Sequence, residues 1–519
     1  MKKNGIELNP EFKRALQLLE QTSKSVFITG KAGTGKSTLL DYFRNITRKK
    51  TIVLAPTGVA ALNVRGETIH SFFKFKPNIS PQKIKPVSAK RKRLYQAVET
   101  LIIDEVSMVR ADLLDCVDAF LRRNGKHRAA PFGGVQMVFI GDLYQLPPVV
   151  AAAEKELFTA QYESPYFFSA SALRDLPLEF IELEKIYRQK DEHFIELLNA
   201  IRNNSVTAAH LERLNTRAAV LPPRHQSGFT VHLTTTNKAA EEINQKHLQY
   251  VKGKVHAYGA EIEGDFDTFS YPTLSDLRIG IGAQVMTLNN DSAGRWVNGS
   301  IGEVTGIDKK APQADRILVK FPDGRTEEVT PFAWEMFHST YNEHARAIET
   351  ETVGTFTQYP LKLAWALTIH KSQGKTFDRV VIDMGPAAFA GGQTYVALSR
   401  CTSFEGVYLK RPILKHHVFV DRRVSAFLTG YQYALSERAL ALEDKMSLIQ
   451  EAIRRGKHLK ITYLKKNDEK TRRLIKPQSA GEMMYEDKLF IGMQAYCLHR
   501  REDRVFRVDR ILEMSIAEH

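Results

Sequence analysis

The sequence predicts an α/β fold: two doubly wound parallel-sheet lobes, a small β-barrel inserted into the second, and a further small β-rich domain at the C-terminus. Two patterns carry this expectation. Short apolar runs alternate with helical stretches over residues 24–180 and resume after residue 230, and each run ends at a polar signature. Between residues 251 and 352 the alternation gives way to short β-rich runs punctuated by turns. The chain has 519 residues, too many for one core, and ~150 residues per domain implies three or four units.

The first lobe is expected over residues 1–180, with strands at 26–28 (VFI), 51–54 (TIVL), 101–103 (LII) and 135–140 (VQMVFI). Ligands of a parallel doubly wound sheet collect at the carboxyl ends of its strands. The second lobe, 181–250 and 353–430, follows from runs at 230–233, 380–382 and 407–409 and helical stretches at 238–250 and 393–399. Two such lobes facing each other leave a cleft. The inserted barrel, 251–352, is read from AQVMTLNN, GSIGEVTGI and RILVKF, with the turn Phe321-Pro322-Asp323-Gly324 leading into RTEEV. The charge-mixed helical segment YALSERALALEDKMSLIQEAIRRG supplies a linker, 431–445, into a final unit at 446–519. That unit holds 16 Lys+Arg against 11 Asp+Glu, and the strand-like runs ITYL, KLFIGMQAYCL and RVFRVDRI.

Composition narrows the function. The chain is 43% hydrophobic and 26% charged, ordinary for a soluble globular protein, and its formal charge of +15 points to a polyanionic partner. Nucleic acid and an anionic membrane surface both fit that charge, but no run of ~18 apolar residues exists to span a bilayer. The start, MKKNGIELNPEFK, lacks the apolar stretch of a secretory signal. Cys116, Cys401 and Cys497 are far apart and in no metal-ligand spacing, so reduced thiols in a cytoplasmic protein are expected.

Chemistry enters at GKAGTGKST, residues 30–38, between an apolar strand and a helix. Gly30, Gly33 and Gly35, with Ala32 and Thr34, let backbone N–H groups close on a polyphosphate, and the helix N-terminus adds partial positive charge. Lys36 is expected to reach the β and γ phosphates, Ser37 to offer its hydroxyl to Mg²⁺, and Thr38 to complete the loop. At the end of LIIDE, Asp104 is expected to hold Mg²⁺ and Glu105 to orient the attacking water. In GDLYQLPP, Gln145 is a neutral amide able to sense a γ-phosphate, although on spacing alone the run is equally a proline-terminated loop. Arg188 in EKIYRQK and Arg400 in YVALSRCTS are candidates to stabilise a transferring phosphoryl group from the opposite lobe.

For a nucleic-acid track the candidates are Thr57 and His70 in APTGVAALNVRGETIHSFF, Asn237 after Thr235-Thr236, and His370-Lys371-Ser372 in IHKSQGK. Hydroxyls, amides and backbone N–H groups at strand ends grip phosphates, and Phe72, Phe73, Phe75 or Trp296 offer rings for stacking on bases. A given Phe is nonetheless more often core. The basic stretch from Lys83-Ile84-Lys85-Pro86 to Lys90-Arg91-Lys92-Arg93 reads as a solvated, proline-containing loop unless DNA lies beside it.

Taken together, these ordered motifs, with PFGGVQ, GAQVMTLNN, WVNGSIG and LAWALTIHKSQGKTFD, resemble the Pif-one (petite integration frequency) DNA helicases of superfamily one, relatives of the RecD-type helicases, over residues 24–427. The resemblance implies two RecA-like lobes, ATP with Mg²⁺, and translocation 5′ to 3′ on single-stranded DNA. It makes Arg188 and Arg400 arginine fingers and places Gln373-Gly374 in the motif coupling ATP to DNA. Thr57, His70, Asn237 and His370 fall on single-strand contacts, Asn298 lies in the WVNGSIG motif, and residues 74–99 fall on a small wedge element. The implied partners are single-stranded and forked DNA, no membrane is involved, and a monomer in the cytoplasm, nucleoid-associated if bacterial, is expected. DNA repair, recombination and telomere maintenance are the implied settings. One departure stands at the leader, where the family carries a glutamine that reads adenine and this chain has Phe12; adenine selectivity is left open, with stacking, or another group such as Gln17 or Gln21, as the substitute. Residues 446–519 resemble a WYL-type domain, a small β-barrel linked to ligand or nucleic-acid sensing, through ITYL, Arg473 with Pro477, and RVFRVDRI. Tyr463, Arg473, Arg504 and Arg507 are its candidate ligand residues.

The expected activity is therefore that of an ATP-dependent DNA helicase. A DNA-stimulated ATPase that remodels nucleic-acid complexes under control of the terminal domain is the alternative. A P-loop kinase fits less well, because the chain has two α/β lobes and residues suited to nucleic acid.

Overall fold

Ser25–Gly30 is buried at every position, and so are Thr100–Ile103 and Gln136–Ile140, because the sheet they form is covered on both faces. The computed structural model describes residues 2–3, 6–76, 79–150, 154–189, 191–218, 220, 222, 228–251, 253–309, 314–385, 390–485 and 487–517. Within the expected wedge segment 74–99, Pro77 and Asn78 lie outside the described residues. The chain divides into two units: Met1–Ile201 with Val206–Phe419, and Arg202–Ser205 with Val420–His519.

The first sheet of the larger unit runs Glu67–Thr68, Thr51–Ala55, Thr100–Ile103, Gln136–Ile140, Ser25–Gly30, Leu178–Leu183, with every pair parallel. Pro10–Gln21 closes one face; it starts cleanly because Asn9 accepts from the Phe12 N–H at 2.8 Å and proline occupies the first turn. Phe12, Ala15 and Leu19 of that helix join Leu39, Leu40 and Phe43 of Lys36–Ile46 on Val26, Ile28, Ile102 and Val138. The second sheet, Ala366–Thr368, Val231–Thr234, Val380–Asp383, Val407–Leu409, is also wholly parallel. Asn237–Gln249 and Gln393–Leu398 are its helices, close to the expected spans.

The insertion is larger than expected. Five antiparallel strands run Thr326–Val329, Arg316–Lys320, Ile301–Asp308, Gln284–Thr287, Leu361–Leu363 around Val285, Val304, Ile317, Val319 and Leu361, so the domain closes at residue 363 and not at 352. Between the last two strands in sequence, Phe332–Asn342 and Ala347–Gln358 form a long hairpin, to which Glu261–Gly264 adds a third strand. Most of its positions are half-buried or exposed, so it carries little of the apolar alternation that reveals a strand. The basic stretch also departs from expectation. Ala89–Ala97, which contains Lys90-Arg91-Lys92-Arg93, is a helix, held by Leu94, Tyr95 and Ala97 burying on its inner side.

In the smaller unit, five antiparallel strands run Glu502–Arg507, Lys488–Cys497, Lys470–Tyr485, Leu459–Leu464, Ile511–Ile516. Its core joins Ile461, Ile475, Met493, Ala495 and Phe506 to Ile449 and Ala452 of the helix Leu442–Arg454. The expected linker at 431–445 is therefore corrected: it belongs to Arg422–Ala439 and Leu442–Arg454, helices of this unit, whose continuous C-terminal part is Val420–His519. Lys445 is fully buried there and donates to the Ser436 hydroxyl at 2.9 Å, while Ser436 donates to the Ile511 carbonyl. The mixed charge of the segment concealed its packed face. All three cysteines are buried and unbridged.

Candidate active site

The phosphate loop joins Ser25–Gly30 to Lys36–Ile46 through two left-handed glycines, Gly33 at φ +81° and Gly35 at φ +88°. A Cβ at Gly33 would stand 2.5 Å from the Cβ of Arg188, so this glycine is what lets Arg188 approach. The Tyr187 N–H donates to the Gly33 carbonyl at 2.9 Å and fixes that approach. Lys36 Nζ donates to the Gly30 and Lys31 carbonyls at 2.6 and 3.1 Å. The Ala32 N–H donates to the Tyr395 hydroxyl at 3.0 Å, a direct link from the first lobe to the Gln393–Leu398 helix of the second.

Asp104 and Glu105 follow the Thr100–Ile103 strand, with Glu105 turned into the left-handed region at φ 50°. Burial, and next the charge of Glu105, pushes the Asp104 carboxyl up to about 7. Burial also raises Glu105, against the pull of Lys36 and Arg400 and a hydrogen bond from Gln373 Nε2 to its Oε2 at 3.0 Å. Gln145 is buried, its Nε2 donating to Asp142 Oδ2 at 3.3 Å. The loop carrying it lies under the second lobe: a Cβ on Gly392 would be 2.1 Å from the Tyr144 carbonyl.

Both arginines are spread over backbone carbonyls. Arg188 reaches the Ser399 and Gly374 carbonyls at 3.3 and 3.5 Å. Arg400, 1% exposed, donates to the carbonyls of Val396, Ser372 and Lys375 and to the Ser399 hydroxyl. Burial and then the charge of Arg188 lower it to about 9. Gln189, which the sequence reading passed over, is buried beside them and donates to the Ser399 and Cys401 carbonyls.

One cavity of about 770 Å³ gathers Ala32, Gly33, Thr34, Gly35, Lys36, Ser37, Thr38, Glu105, Gln145, Arg188, Gly374 and Arg400. Gly30 and Asp104 are not part of its lining, which Phe12, Tyr187 and Thr376 complete. Gln17 and Gln21 are exposed and do not line it, so neither takes the place of the missing glutamine. Tyr187, 43% exposed and with the Lys185 ammonium 5.2 Å from its ring, is an exposed aromatic of the lining; an aromatic residue directly before Arg188 was the available signal.

The expected nucleic-acid residues divide. Thr57 is exposed and caps Gly58–Asn63 through the Ala60 N–H; Asn237 and His370 are exposed, Lys371 is exposed beside the latter, and His70 is half-buried. Asn298 donates to Asn63 Oδ1 at 3.1 Å and accepts from Lys375 Nζ at 2.7 Å, joining the first lobe, the barrel and the second lobe. Three candidates are corrected. Phe72 is 3% exposed, packed edge-on against Phe73 and Tyr95, and its ring cannot stack on a base. Trp296 is 6% exposed, covered by Phe321 and Arg295 with its Nε1 donating to Asn289. Ser372 is fully buried and its hydroxyl closes the local turn on the Ile369 carbonyl at 2.7 Å. Phe73 and Phe75 are likewise core.

In the smaller unit the four candidates do not form one anion site. Arg504 is paired with Glu502 and Arg507 with Asp509, each at 2.6 Å. Arg473 is buried over the Phe506 ring, and Tyr463 meets the same ring edge-on. A groove of about 480 Å³ lies on the sheet instead, lined by Lys460, Thr462, Arg472, Arg473, His499 and Glu513 among others, and only Arg473 is shared with the expected set.

The profile of the PIF1-like helicase family matches residues 7–212, and that of the WYL domain matches residues 444–516. The chain is similar to the human ATP-dependent DNA helicase PIF1, 35% identical over 398 residues, covering 74% of this chain and 58% of that protein. It spans less than two thirds of the length of its mammalian relatives, 62% for the mouse protein. The ATP-dependent DNA helicase Pif1 of Bdellovibrio bacteriovorus is 32% identical over 414 residues, covering 78% of this chain and 88% of that protein. Among solved structures, unliganded Pif1 from Bacteroides sp matches with a TM-score of 0.73 at 37% identity, over 82% of this chain and 97% of that one. Bacteroides Pif1 in complex with ADP-AlF3 and ssDNA matches with a TM-score of 0.61 at 36% identity, over 82% and 98%.

Proposed function

Since the chain belongs to the PIF1-like helicase family, we propose that it is an ATP-dependent DNA helicase, moving along single-stranded DNA and separating duplex or forked DNA. The observation that carries this reading is the single cavity in which the phosphate loop and Glu105 of one lobe meet Arg188 and Arg400, the latter from the other. Hydrolysis of a phosphoanhydride at such a cleft is largely positioning and charge stabilisation.

Lys36 gives up the Gly30 and Lys31 carbonyls for the fully charged β and γ phosphate oxygens, which are stronger acceptors. Glu105, already oriented by Gln373, takes the proton of the attacking water, and Gln145 turns from Asp142 toward the same water. Arg188 and Arg400 neutralise charge on the moving phosphoryl group. Ser37 and Asp104 are the residues that would hold Mg²⁺: Ser37 brings a hydroxyl into the cavity, and the Asp104 carboxyl, raised by burial and next by the charge of Glu105, is an acid whose ionised form a cation would stabilise. The ion, when bound, neutralises polyphosphate charge. Tyr187 offers its face to the adenine, and Phe12 shapes the pocket without reading the base, since a phenyl ring has no hydrogen-bonding group.

Movement follows because the 370–376 loop touches both Glu105 and Arg400 on one side and carries His370 and Lys371 on the other. Thr57 and Asn237 grip the strand from the two lobes, and closure around ATP alternates those grips. We take the direction, 5′ to 3′, from the family resemblance. The protein acts as a monomer in the cytoplasm, associated with the nucleoid if bacterial. Among the described residues no helix is long and apolar enough to cross a membrane.

A second reading rests on the smaller unit, which has its own core and matches the WYL domain: a DNA-stimulated ATPase that remodels nucleic-acid complexes when that unit senses a ligand or DNA. Strand separation by the full chain, compared with a chain ending at residue 419, tests both. Unwinding by both supports the helicase, whereas DNA-stimulated hydrolysis without strand separation supports remodelling.

A further inference from the structure

Three lysines, Lys362, Lys371 and Lys375, belong to the barrel strand Leu361–Leu363 and the 370–376 loop, which meet at Gly299: Leu361 and Lys362 pair with Thr287 and Met286, the Gly299 N–H donates to the Thr287 carbonyl at 2.9 Å, and the Lys375 stem packs beside Gly299. Among the described residues no carboxylate pairs with any of the three. Lys362 and Lys375 are half-buried and Lys371 is exposed. Lys375 is positioned by the barrel: its stem lies 3.5 Å from where a Gly299 Cβ would stand, and its Nζ donates to Asn298 Oδ1 at 2.7 Å. Its neighbours Gly374 and Thr376 line the nucleotide cavity, while its ammonium points away to Asn298. Lys362 lies opposite Met286 in the sheet, on the face away from the Val285 and Leu361 core.

Like charges gathered in partial burial with no counter-charge are unfavourable, and an anion seated among them removes the penalty. We infer that Lys362, Lys371, Lys375 and Asn298 form a binding site for a backbone phosphodiester of the single strand. This rests on the reading of the chain as a DNA motor and adds two residues, Lys362 and Lys375, to its track. Burial, then Lys375 and Lys371, holds Lys362 down to about 7, and burial lowers Lys375 to about 8, as expected of ammonium groups that await an anion. The site is tied to the nucleotide: the Lys375 carbonyl accepts from Arg400 at 3.2 Å, so a shift of Arg400 on hydrolysis moves one of the phosphate's ligands. Through Asn298 and Asn63 the same phosphate is linked to the first lobe.

The test is binding of a fluorescent oligothymidylate to the full-length protein across a salt series, for wild type, Lys362→Gln and Lys362→Arg. Lys362→Gln should weaken binding about tenfold, the scale of one lost charge-assisted hydrogen bond, and flatten the slope of log affinity against log salt by about 0.7, the counterion equivalent of one phosphate contact. Lys362→Arg should restore both. Calorimetry in buffers of different ionisation enthalpy should show proton uptake on binding at pH 7.5 that Lys362→Gln diminishes, because the phosphate raises a lysine that is partly neutral beforehand. Melting temperature reports that each variant is folded. Wild-type binding with unchanged affinity, slope and proton uptake in folded Lys362→Gln overturns this site alone; failure of the wild type to bind the single strand overturns the motor reading beneath it.

Discussion

Gln373 donates its side-chain amide to Glu105 across the cleft, 3.0 Å from Nε2 to Oε2, so the loop that carries His370 and Lys371 also holds the acid proposed to act on the attacking water. The bond favours the ionised form of Glu105, which burial opposes. Gln373→Ala should therefore leave nucleotide affinity near wild type, lower DNA-stimulated kcat roughly tenfold, and move the alkaline shift of the pH–rate profile further up. Steady-state ATPase with and without single-stranded DNA, over pH 6 to 9, measures all three.

Arg400 should be less replaceable than a surface arginine. It is fully buried and fans over three carbonyls and a hydroxyl, a geometry that a lysine cannot reproduce. Arg400→Lys should lose about 10³-fold or more in kcat, the scale of an arginine finger, and also lower the Tm. Arg188→Lys, at a half-buried position with two long hydrogen bonds, should lose activity with a smaller change in Tm. Differential scanning fluorimetry beside ATPase kinetics separates the two effects.

The acid pair gives a pH dependence of fixed sign. Asp104 stands at about 7 in the folded protein against 3.8 for its ordinary value, so between those values the folded state holds more protons than the unfolded one. Its contribution to stability is present below the ordinary value and is lost as pH rises through the folded value. The nucleotide-free protein should lose stability from this group between pH 4 and 7, and Asp104→Asn should raise the Tm at pH 8 by a few degrees while abolishing hydrolysis. Thermal melts of both proteins at pH 5 and pH 8 check the prediction; an Asp104→Asn protein that melts earlier than wild type at pH 8 contradicts it.

Tyr395→Phe should report on the contact between lobes. It removes only the hydroxyl that accepts from the Ala32 N–H, leaving that donor without this partner at a cost of about 1 kcal/mol. A change in the rate of lobe closure, read by stopped-flow fluorescence on ATP binding, is the expected outcome, with little change in ATP affinity.

The legible parts of the sequence were those whose physics is local. A strand covered on both faces is apolar at every position, and a phosphate loop needs its glycines and lysine at fixed intervals, so Ser25–Gly30 and Gly33, Gly35 and Lys36 announced themselves. Exposure is not local. Phe72 and Trp296 were chosen for their rings, yet a ring that suits a base suits a core as well, and only the fold buries them. Charge misled in the same way: Lys90 to Arg93 concealed the packed side of Ala89–Ala97, and the charges of 431–445 concealed two helices of the terminal unit. The hairpin Phe332–Asn342 with Ala347–Gln358 left little signal because few of its positions are buried. Lys362 directly precedes LAWALTIHKSQGKTFD, the run that holds Lys371 and Lys375, but only the fold shows that the barrel strand brings it back beside them.

The proposed motor couples the nucleotide cavity to movement along a single strand. It is tested most directly by strand separation on matched 5′-tailed and 3′-tailed forks with ATP, using wild type and Lys36→Ala. Wild type should open the 5′-tailed fork and leave the 3′-tailed one closed, and Lys36→Ala should open neither while still binding single-stranded DNA. Unwinding of either fork by Lys36→Ala, or DNA-stimulated ATP hydrolysis by the wild type with both forks left intact, would contradict the account.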